Sequence, residues 1–320
     1  MEGRILFIAY DYYEYARAID GEFREMGFES NFYSIQPETI PFKVARRLSG
    51  SLYRSSLDRY HSEIIEKYLK GYFDYVIFLQ VHQMSQENMH LLKERQSQAR
   101  FVLYNWDAVK THDYRPYMRF FDRVLTFDPV DAGVLGVEYL PLFCIRRFQD
   151  LRPRFETPLS VYFIGSIVNP KRYEAVRAFE RYCAANAISF QTYMSSTVHG
   201  ITQMLKAGIW PRGVSLRAIG AERFVEMMET SNAVFDFANH AQSGFTMRTM
   251  ENLCAGKKII TNNAMVKETD FYSEDRFFVF KGLEFEGVSE FLQRQVSSEG
   301  RDTSRYTVQE FARRLLGVAR

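Results

Sequence analysis

The sequence predicts an α/β protein made of two Rossmann-like halves. Three observations carry this. Short continuous apolar runs alternate with amphipathic stretches, each run closes in polar residues, and the alternation breaks once, at residues 144–158, before restarting. The length of 320 residues suits about two domains of roughly 150 residues each.

Residues 4–9 are apolar at every position after the arginine, as in a strand buried on both faces of a parallel sheet. Tyr15, Ile19 and Phe23 then fall at helical spacing, Gly27 closes that helix, and residues 28–34 read as a second strand. A helix over 55–70 precedes a strand at 75–79, and one over 85–96 precedes a strand at 101–104; further strands follow at 123–127 and 137–140. Polar residues sit at the strand ends: Tyr10 and Asp11, Gln80 to Gln83, Asn105 to Asp107, and Asp128. In an open α/β sheet, ligands bind outside the carboxyl ends of the strands, so these tips mark one expected site.

Between 144 and 158, Arg146, Arg147, Arg152 and Arg154 crowd with Pro153 and Pro158 and no periodicity survives, so this stretch reads as a linker. Beyond it come a strand at 160–164, a Gly165-Ser166 turn, a helix over 170–187 and a strand at 188–193. A helix at 221–231, strands at 233–237, 258–261 and 277–280, a helix at 244–255 and a terminal helix at 307–318 complete the pattern. The expected organisation is a first domain at 1–143, a linker at 144–158, a second domain at 159–305 and a terminal helix at 306–320. The two domains are expected to face each other across a cleft.

Composition narrows the function classes. Forty-one basic against 39 acidic residues leave a formal charge of +2, which argues against a general nucleic-acid binder. Aromatics reach 16%, consistent with an aromatic core or with stacking surfaces for sugars. Cys144, Cys183 and Cys254 are scattered without C-x-x-C spacing, which suggests reduced thiols and a cytoplasmic setting. The apolar run at residues 5–9 is too short for a signal peptide, and no run approaches the roughly 18 apolar residues of a membrane span. The expectation is a soluble protein.

The most informative stretch is 236–252, where a strand enters a polar loop and Gly244 is placed to open a helix. Free N–H groups and the dipole at a helix N-terminus attract anions, and a glycine there would let a phosphate come close. Thr246 offers a hydroxyl. Arg248 and Glu251 are three apart and can pair within the helix, and a glutamate one turn in can also accept from ribose hydroxyls. An ordinary helix with a glycine start fits the same spacing.

Gln242-x-Gly244-Phe245-Thr246-Met247-Arg248-Thr249-x-Glu251, with Gly256-Lys257-Lys258-Ile259-Ile260-Thr261-Asn262-Asn263 and Asp270-Phe271-Tyr272, resembles the donor domain of GT-B glycosyltransferases. The nearest resemblance is to the CgeB-like, lipopolysaccharide and capsule biosynthesis group. Tyr104-Asn105-Trp106-Asp107, Tyr162-Phe163-Ile164-Gly165-Ser166 and Arg172 are similar to other marks of that group. The resemblance covers residues 100–275 in pieces; the first hundred residues match in architecture only.

The resemblance implies a GT-B fold and a transferase that moves a sugar from an activated, nucleotide-type donor to a glycan or lipid-linked acceptor. Donor phosphates would lie at Gly244, Phe245 and Thr246, with His240 and Gln242 beside them. Arg248 would meet phosphate or brace Glu251, and Glu251 would take the ribose. Gly165 and Ser166 would form a loop near the donor, with Arg172 neutralising the diphosphate. Family members often carry a smaller residue where Phe245 stands, which narrows the pocket here. Asp107 is the first candidate for the catalytic group, as general base or, in a retaining enzyme, as nucleophile, with Asp11 and His82 as competitors. Tyr12, Tyr13 and Trp106 would stack against the acceptor sugar, with Tyr10 and Tyr114 as further aromatic candidates.

No Asp-x-Asp triplet occurs, and the six histidines form no i, i+4 pair, so no metal site and no cofactor beyond the sugar donor are expected. Lys43, Arg46, Arg47, Arg54 and Arg59 interleave with Phe42, Leu48, Leu52, Tyr53 and Leu57. This suits docking on the anionic inner face of a membrane, where a lipid-linked acceptor would wait, and equally a solvated helix face. A non-catalytic sugar- or nucleotide-binding scaffold on the same fold is the alternative. A dinucleotide enzyme is disfavoured because residues 9–14 contain no glycine for a G-x-G-x-x-G turn.

Overall fold

The computed structural model describes the chain apart from residues 1, 12–13, 38, 40–41, 43–48, 153, 168, 239–243, 298–301 and 319–320. It divides into two compact units: residues 1–145, 241–245 and 306–320 form the first, and residues 146–240 and 246–305 the second. The segment expected to link two domains contains a short helix, Arg146–Gln149, and the C-terminal segment belongs to the first unit.

The first unit holds a six-stranded sheet of β1 (Arg4–Ala9), β2 (Glu29–Ser34), β3 (Tyr75–Leu79), β4 (Arg100–Asn105), β5 (Arg123–Thr126) and β6 (Glu138–Tyr139). The strand order is β2-β1-β3-β4-β5-β6 and every pairing is parallel. A parallel sheet needs cover on both faces, which is why β1 and β3 are almost unbroken apolar runs. Helix α1 (Tyr15–Glu25) buries Ala16, Ile19 and Phe23, and the Phe23 ring meets Phe7 edge-on at 5.4 Å. Helices α2 (Gly50–Glu63), α3 (Gln86–Arg95) and α4 (Pro129–Leu135) follow in chain order.

The C-terminal helix, Val308–Leu316, packs beside α1 and sets Phe311 against Tyr104 at 4.9 Å and Phe143 at 4.3 Å. Its end is tied down by Arg123, whose guanidinium donates to the carbonyls of Arg314 at 2.6 Å and Leu315 at 3.0 Å. A cation on the last carbonyls complements the helix dipole.

The second unit opens with α5 (Arg146–Gln149) and repeats the architecture with β7 (Ser160–Ser166), α6 (Pro170–Ala185), β8 (Ser189–Ser195), α7 (Val198–Lys206) and β9 (Val214–Ser215). It continues with α8 (Ala221–Glu229), β10 (Ala233–Asp236), α9 (Met247–Cys254), β11 (Lys258–Thr261), β12 (Phe277–Val279) and α10 (Val288–Gln293). Its sheet runs β12-β11-β10-β7-β8-β9, again parallel. Numbered within the unit, this is the 3-2-1-4-5-6 order of dinucleotide-binding sheets.

Much of the aromatic surplus is spent in this core: Phe179 stacks on Phe235 at 4.3 Å, and Phe235 on Phe280 at 5.4 Å. Cys183 is a buried free thiol there, and burial pushes it up to about 12.

Candidate active site

Each sheet has one place where consecutive connections leave in opposite directions, and a crevice opens there at the strand ends. In the first unit that point lies between β1 and β3. The residues following β1, β3 and the adjacent β4 build a polar cluster there.

Gln80, just past β3, is 4% exposed and has φ of 65°, a left-handed conformation in which a side chain crowds its own backbone. Its N–H donates to the Tyr104 carbonyl at 2.9 Å, and its side-chain amide donates to Oδ2 of Asp107. His112 Nε2 lies 3.8 Å from the same carboxylate oxygen. The His112 ring stacks on His82 with centroids 3.8 Å apart and planes 8° from parallel. His82 Nε2 lies 3.1 Å from Gln83 Nε2 and 3.4 Å from the Tyr10 hydroxyl. The Gln83 amide N–H can only donate, so Nε2 accepts and the ring proton sits on Nδ1.

The electrostatics agree. Burial, then the neighbouring His112, push His82 down to about 4, so it is a neutral ring at physiological pH. Burial raises the Asp107 carboxyl above the usual carboxylate range, opposed in part by His112 and by the Gln80 hydrogen bond. A carboxylate raised this way is a stronger proton acceptor.

The other candidates in this unit are placed differently. The Asp11 carboxylate is gripped by Arg17, with Nη2 to Oδ2 at 2.7 Å and Nε to Oδ1 at 3.1 Å. Trp106 is half-buried, and Tyr114 is a core residue at 1% exposure, which removes it as a stacking surface. Tyr12 and Tyr13 lie outside the described residues, as do Lys43, Arg46, Arg47 and Leu48.

In the second unit the reversal lies between β7 and β10. Gly165 and Ser166 end β7, and α6 begins with Asn169 as its cap, Oδ1 accepting from the Arg172 N–H at 3.0 Å. The Arg172 guanidinium lies against Gly165: a Cβ there would fall 3.2 Å from Nη2 and 2.9 Å from the Phe163 ring. Gly165 is thus small because an arginine and a phenylalanine press on it. Arg172 Nε is buried without a hydrogen-bond partner among the described residues. Burial, then the charge of Arg248, bring Arg172 down to about 10, with Asp236 opposing.

Asp236 closes β10 at 1% exposure and accepts from the hydroxyls of Thr246 at 3.2 Å and Thr249 at 3.0 Å. Arg248 Nη1 stands 3.8 Å from Asp236 Oδ1, and Arg248 Nε also lacks a hydrogen-bond partner among the described residues. Thr246 caps α9, its hydroxyl accepting from the Thr249 N–H at 3.1 Å. Behind the helix, the buried Tyr162 hydroxyl donates to Asn252 Oδ1 at 2.9 Å and accepts from its Nδ2 at 2.7 Å. Two guanidinium groups, one carboxylate and two capped helix starts leave an excess of positive potential at this switch point. An anion with several oxygens would satisfy the donors that the protein leaves open.

Several expectations about this segment change. Helix α9 begins at Met247, not at Gly244. A Cβ on Gly244 would lie 2.4 Å from the Phe127 ring and 2.9 Å from the Phe127 carbonyl, and the Gly244 N–H donates to Asp128 Oδ2 at 3.3 Å. Packing on Phe127 therefore accounts for this glycine. Phe245 is buried at 5% exposure, and Glu251 at 2%. Arg248 turns to Asp236 instead of forming the expected in-helix pair. His240 and Gln242 lie outside the described residues.

Sequence reasoning gave no role to His112, Asp236 or Thr249, and marked Gln80 only as a polar strand tip. A carboxylate closing an otherwise apolar strand was a readable signal for Asp236. The backbone conformation of Gln80 is invisible in a sequence. No group of three or more His, Cys, Asp or Glu side chains suited to a metal ion occurs among the described residues.

No protein-family model matches the sequence, and no curated protein does. Solved structures do. A lipopolysaccharide outer core galactosyltransferase, WaaB, in its apo form matches with a TM-score of 0.56 at 12% identity, covering 98% of this chain and 99% of that one. An alpha-glucosyltransferase in complex with UDP and a 13-mer DNA matches at 0.62 and 12%, covering 99% and 95%. MurG of Acinetobacter baumannii matches at 0.53 and 9%, covering 98% and 99%. Identities this low speak for architecture alone. With two parallel six-stranded sheets flanked by helices, this chain has the GT-B glycosyltransferase fold.

Proposed function

We propose that this protein is a glycosyltransferase that moves a sugar from a nucleotide-type donor to a hydroxyl of a glycan or lipid-linked acceptor. The observation that carries the reading is the second unit's cluster of Arg172, Arg248 and Asp236 at its switch point. There the two guanidinium groups, the Thr246 hydroxyl and the starts of α6 and α9 hold the donor diphosphate. They stabilise the charge that grows on it as the sugar leaves, so no divalent ion or other cofactor is required. Gly165 keeps space for Arg172, while Ser166, exposed at the end of β7, is positioned to touch the donor.

In the first unit, Asp107 takes the acceptor proton as the acceptor oxygen bonds to the anomeric carbon and the bond from that carbon to the diphosphate oxygen breaks. Gln80 and His112 keep the carboxylate oriented; Trp106, its neighbour in the chain, and Tyr10, whose hydroxyl meets His82, serve sugar contact. The likeness to WaaB in fold and the CgeB-like motifs support a place in cell-surface polysaccharide or lipopolysaccharide assembly, at the cytoplasmic face of a membrane. Among the described residues no helix is long and apolar enough to cross a membrane.

Calorimetric titration with UDP, GDP, dTDP, ADP and CMP, with and without EDTA, tests the donor site. One nucleotide is expected to bind irrespective of EDTA, and Arg172→Ala to weaken it by roughly 10- to 100-fold, as for one lost charge-assisted contact. Silence across the panel, or equal affinity in the variant, would remove the donor site. Binding without sugar transfer would favour the non-catalytic scaffold.

A further inference from the structure

The first unit's basic-apolar segment is only partly described, but the second unit carries a different surface. Helix α7 joins β8 to the edge strand β9 and buries only Gly200 and Met204 of its nine residues. Val198, at 68% exposure, and Leu205 are seven apart and share one face of α7. Past its end stand Trp210, at 75% exposure, and, after β9, Leu216. Four exposed large apolar side chains thus fall within residues 198–216, the segment that leads into and out of the edge strand β9.

The turn that presents Trp210 is anchored. The Tyr173 hydroxyl accepts from the Arg212 N–H at 2.9 Å, and the Arg177 guanidinium donates to the Arg212 carbonyl. The charge is one-sided as well. Residues 181–221 contain no Asp or Glu, while Lys206, Arg212 and Arg217 are exposed and in no ion pair among the described residues. Of the acids beyond it, Glu180 pairs with Arg177 and Glu226 with Arg223, while Glu222 is exposed and in no ion pair among the described residues.

We infer that this β9 edge of the second unit docks on an anionic lipid surface, with Trp210 and Leu205 entering the headgroup boundary and Lys206, Arg212 and Arg217 facing lipid phosphates. An exposed indole on a rigid turn, long cationic stems beside it and the absence of carboxylates are what a negatively charged interface selects. This deepens the membrane part of the proposed function but does not depend on sugar transfer, since docking is read without donor or acceptor.

The test is co-sedimentation of the full chain with phosphatidylcholine vesicles, with and without phosphatidylglycerol, together with Trp210 emission in a Trp106→Phe background. The chain has two tryptophans, so that background reports Trp210 alone. Binding is expected only with phosphatidylglycerol, with a blue shift of Trp210 emission and weakening by salt. The triple variant K206Q/R212Q/R217Q should partition on the order of 100-fold less well, from roughly fivefold per cation, at an unchanged melting temperature.

The inference is overturned if anionic vesicles do not bind, if the triple variant binds like the wild type, or if binding leaves Trp210 emission unshifted. It is also overturned if R54Q/R59Q abolishes binding while the triple variant keeps it, which would return the contact to the first unit. A Trp210 shift with self-association in the absence of lipid would make the surface a contact between copies of the chain. Loss of docking with donor binding intact would leave the glycosyltransferase reading standing.

Discussion

Gln80 is the residue whose geometry demands a functional explanation. A glutamine held at φ of 65° costs about 1–2 kcal/mol relative to an ordinary backbone conformation, and its amide is directed at Asp107. Gln80→Gly separates the two effects. Glycine accepts the backbone at no cost in strain, so stability measured by urea unfolding should stay within about 1 kcal/mol of the wild type. Turnover should fall, and its acid limb should move to higher pH. The sign follows from the chemistry: a hydrogen bond to the carboxylate favours its charged form, so removing the amide raises the Asp107 carboxyl further. Unchanged turnover and pH profile would leave Gln80 without a positioning role.

At the scale of elements, the strands were largely readable and the site was not. Strands at 4–9, 75–79 and 258–261 are placed by sequence where the structure has them, because strands buried on both faces are continuous apolar runs. Helix α7 escaped because its nine residues are a short window in which only Gly200 and Met204 are buried. The two-residue β9 and the short α4 and α10 give windows too brief to show a period.

The segment around Gly244 differs from its sequence reading in where the helix starts, at Met247, and in that Phe127, far away in sequence, leaves no room for a Cβ at Gly244. Gly244→Ala should therefore destabilise the protein by roughly 1–3 kcal/mol through overpacking against Phe127. An unchanged unfolding midpoint would contradict that account of the glycine. Asp236 and its threonines are likewise joined only by folding, since Thr246 and Thr249 reach a carboxylate 10 and 13 residues earlier.

For the whole molecule, each unit is a separate parallel sheet with its own switch point, and the two carry different chemistry. The first sets the neutral His82 ring and His112 beside a carboxylate of raised affinity for protons; the second sets two arginines around a buried aspartate. The C-terminal helix belongs to the first unit although it follows the second in sequence, which no local pattern reveals. This division of labour between proton acceptor and anion holder is what the proposed transfer reaction needs.

The most direct measurement is nucleotide release and sugar transfer by Asp107→Asn, with the donor found in the titration panel and glycan acceptors, beside that variant's donor affinity. The account predicts turnover lower by about 100- to 10,000-fold, with the donor dissociation constant unchanged, because the first unit supplies the base and the second binds the donor. Wild-type turnover in Asp107→Asn would contradict the central claim.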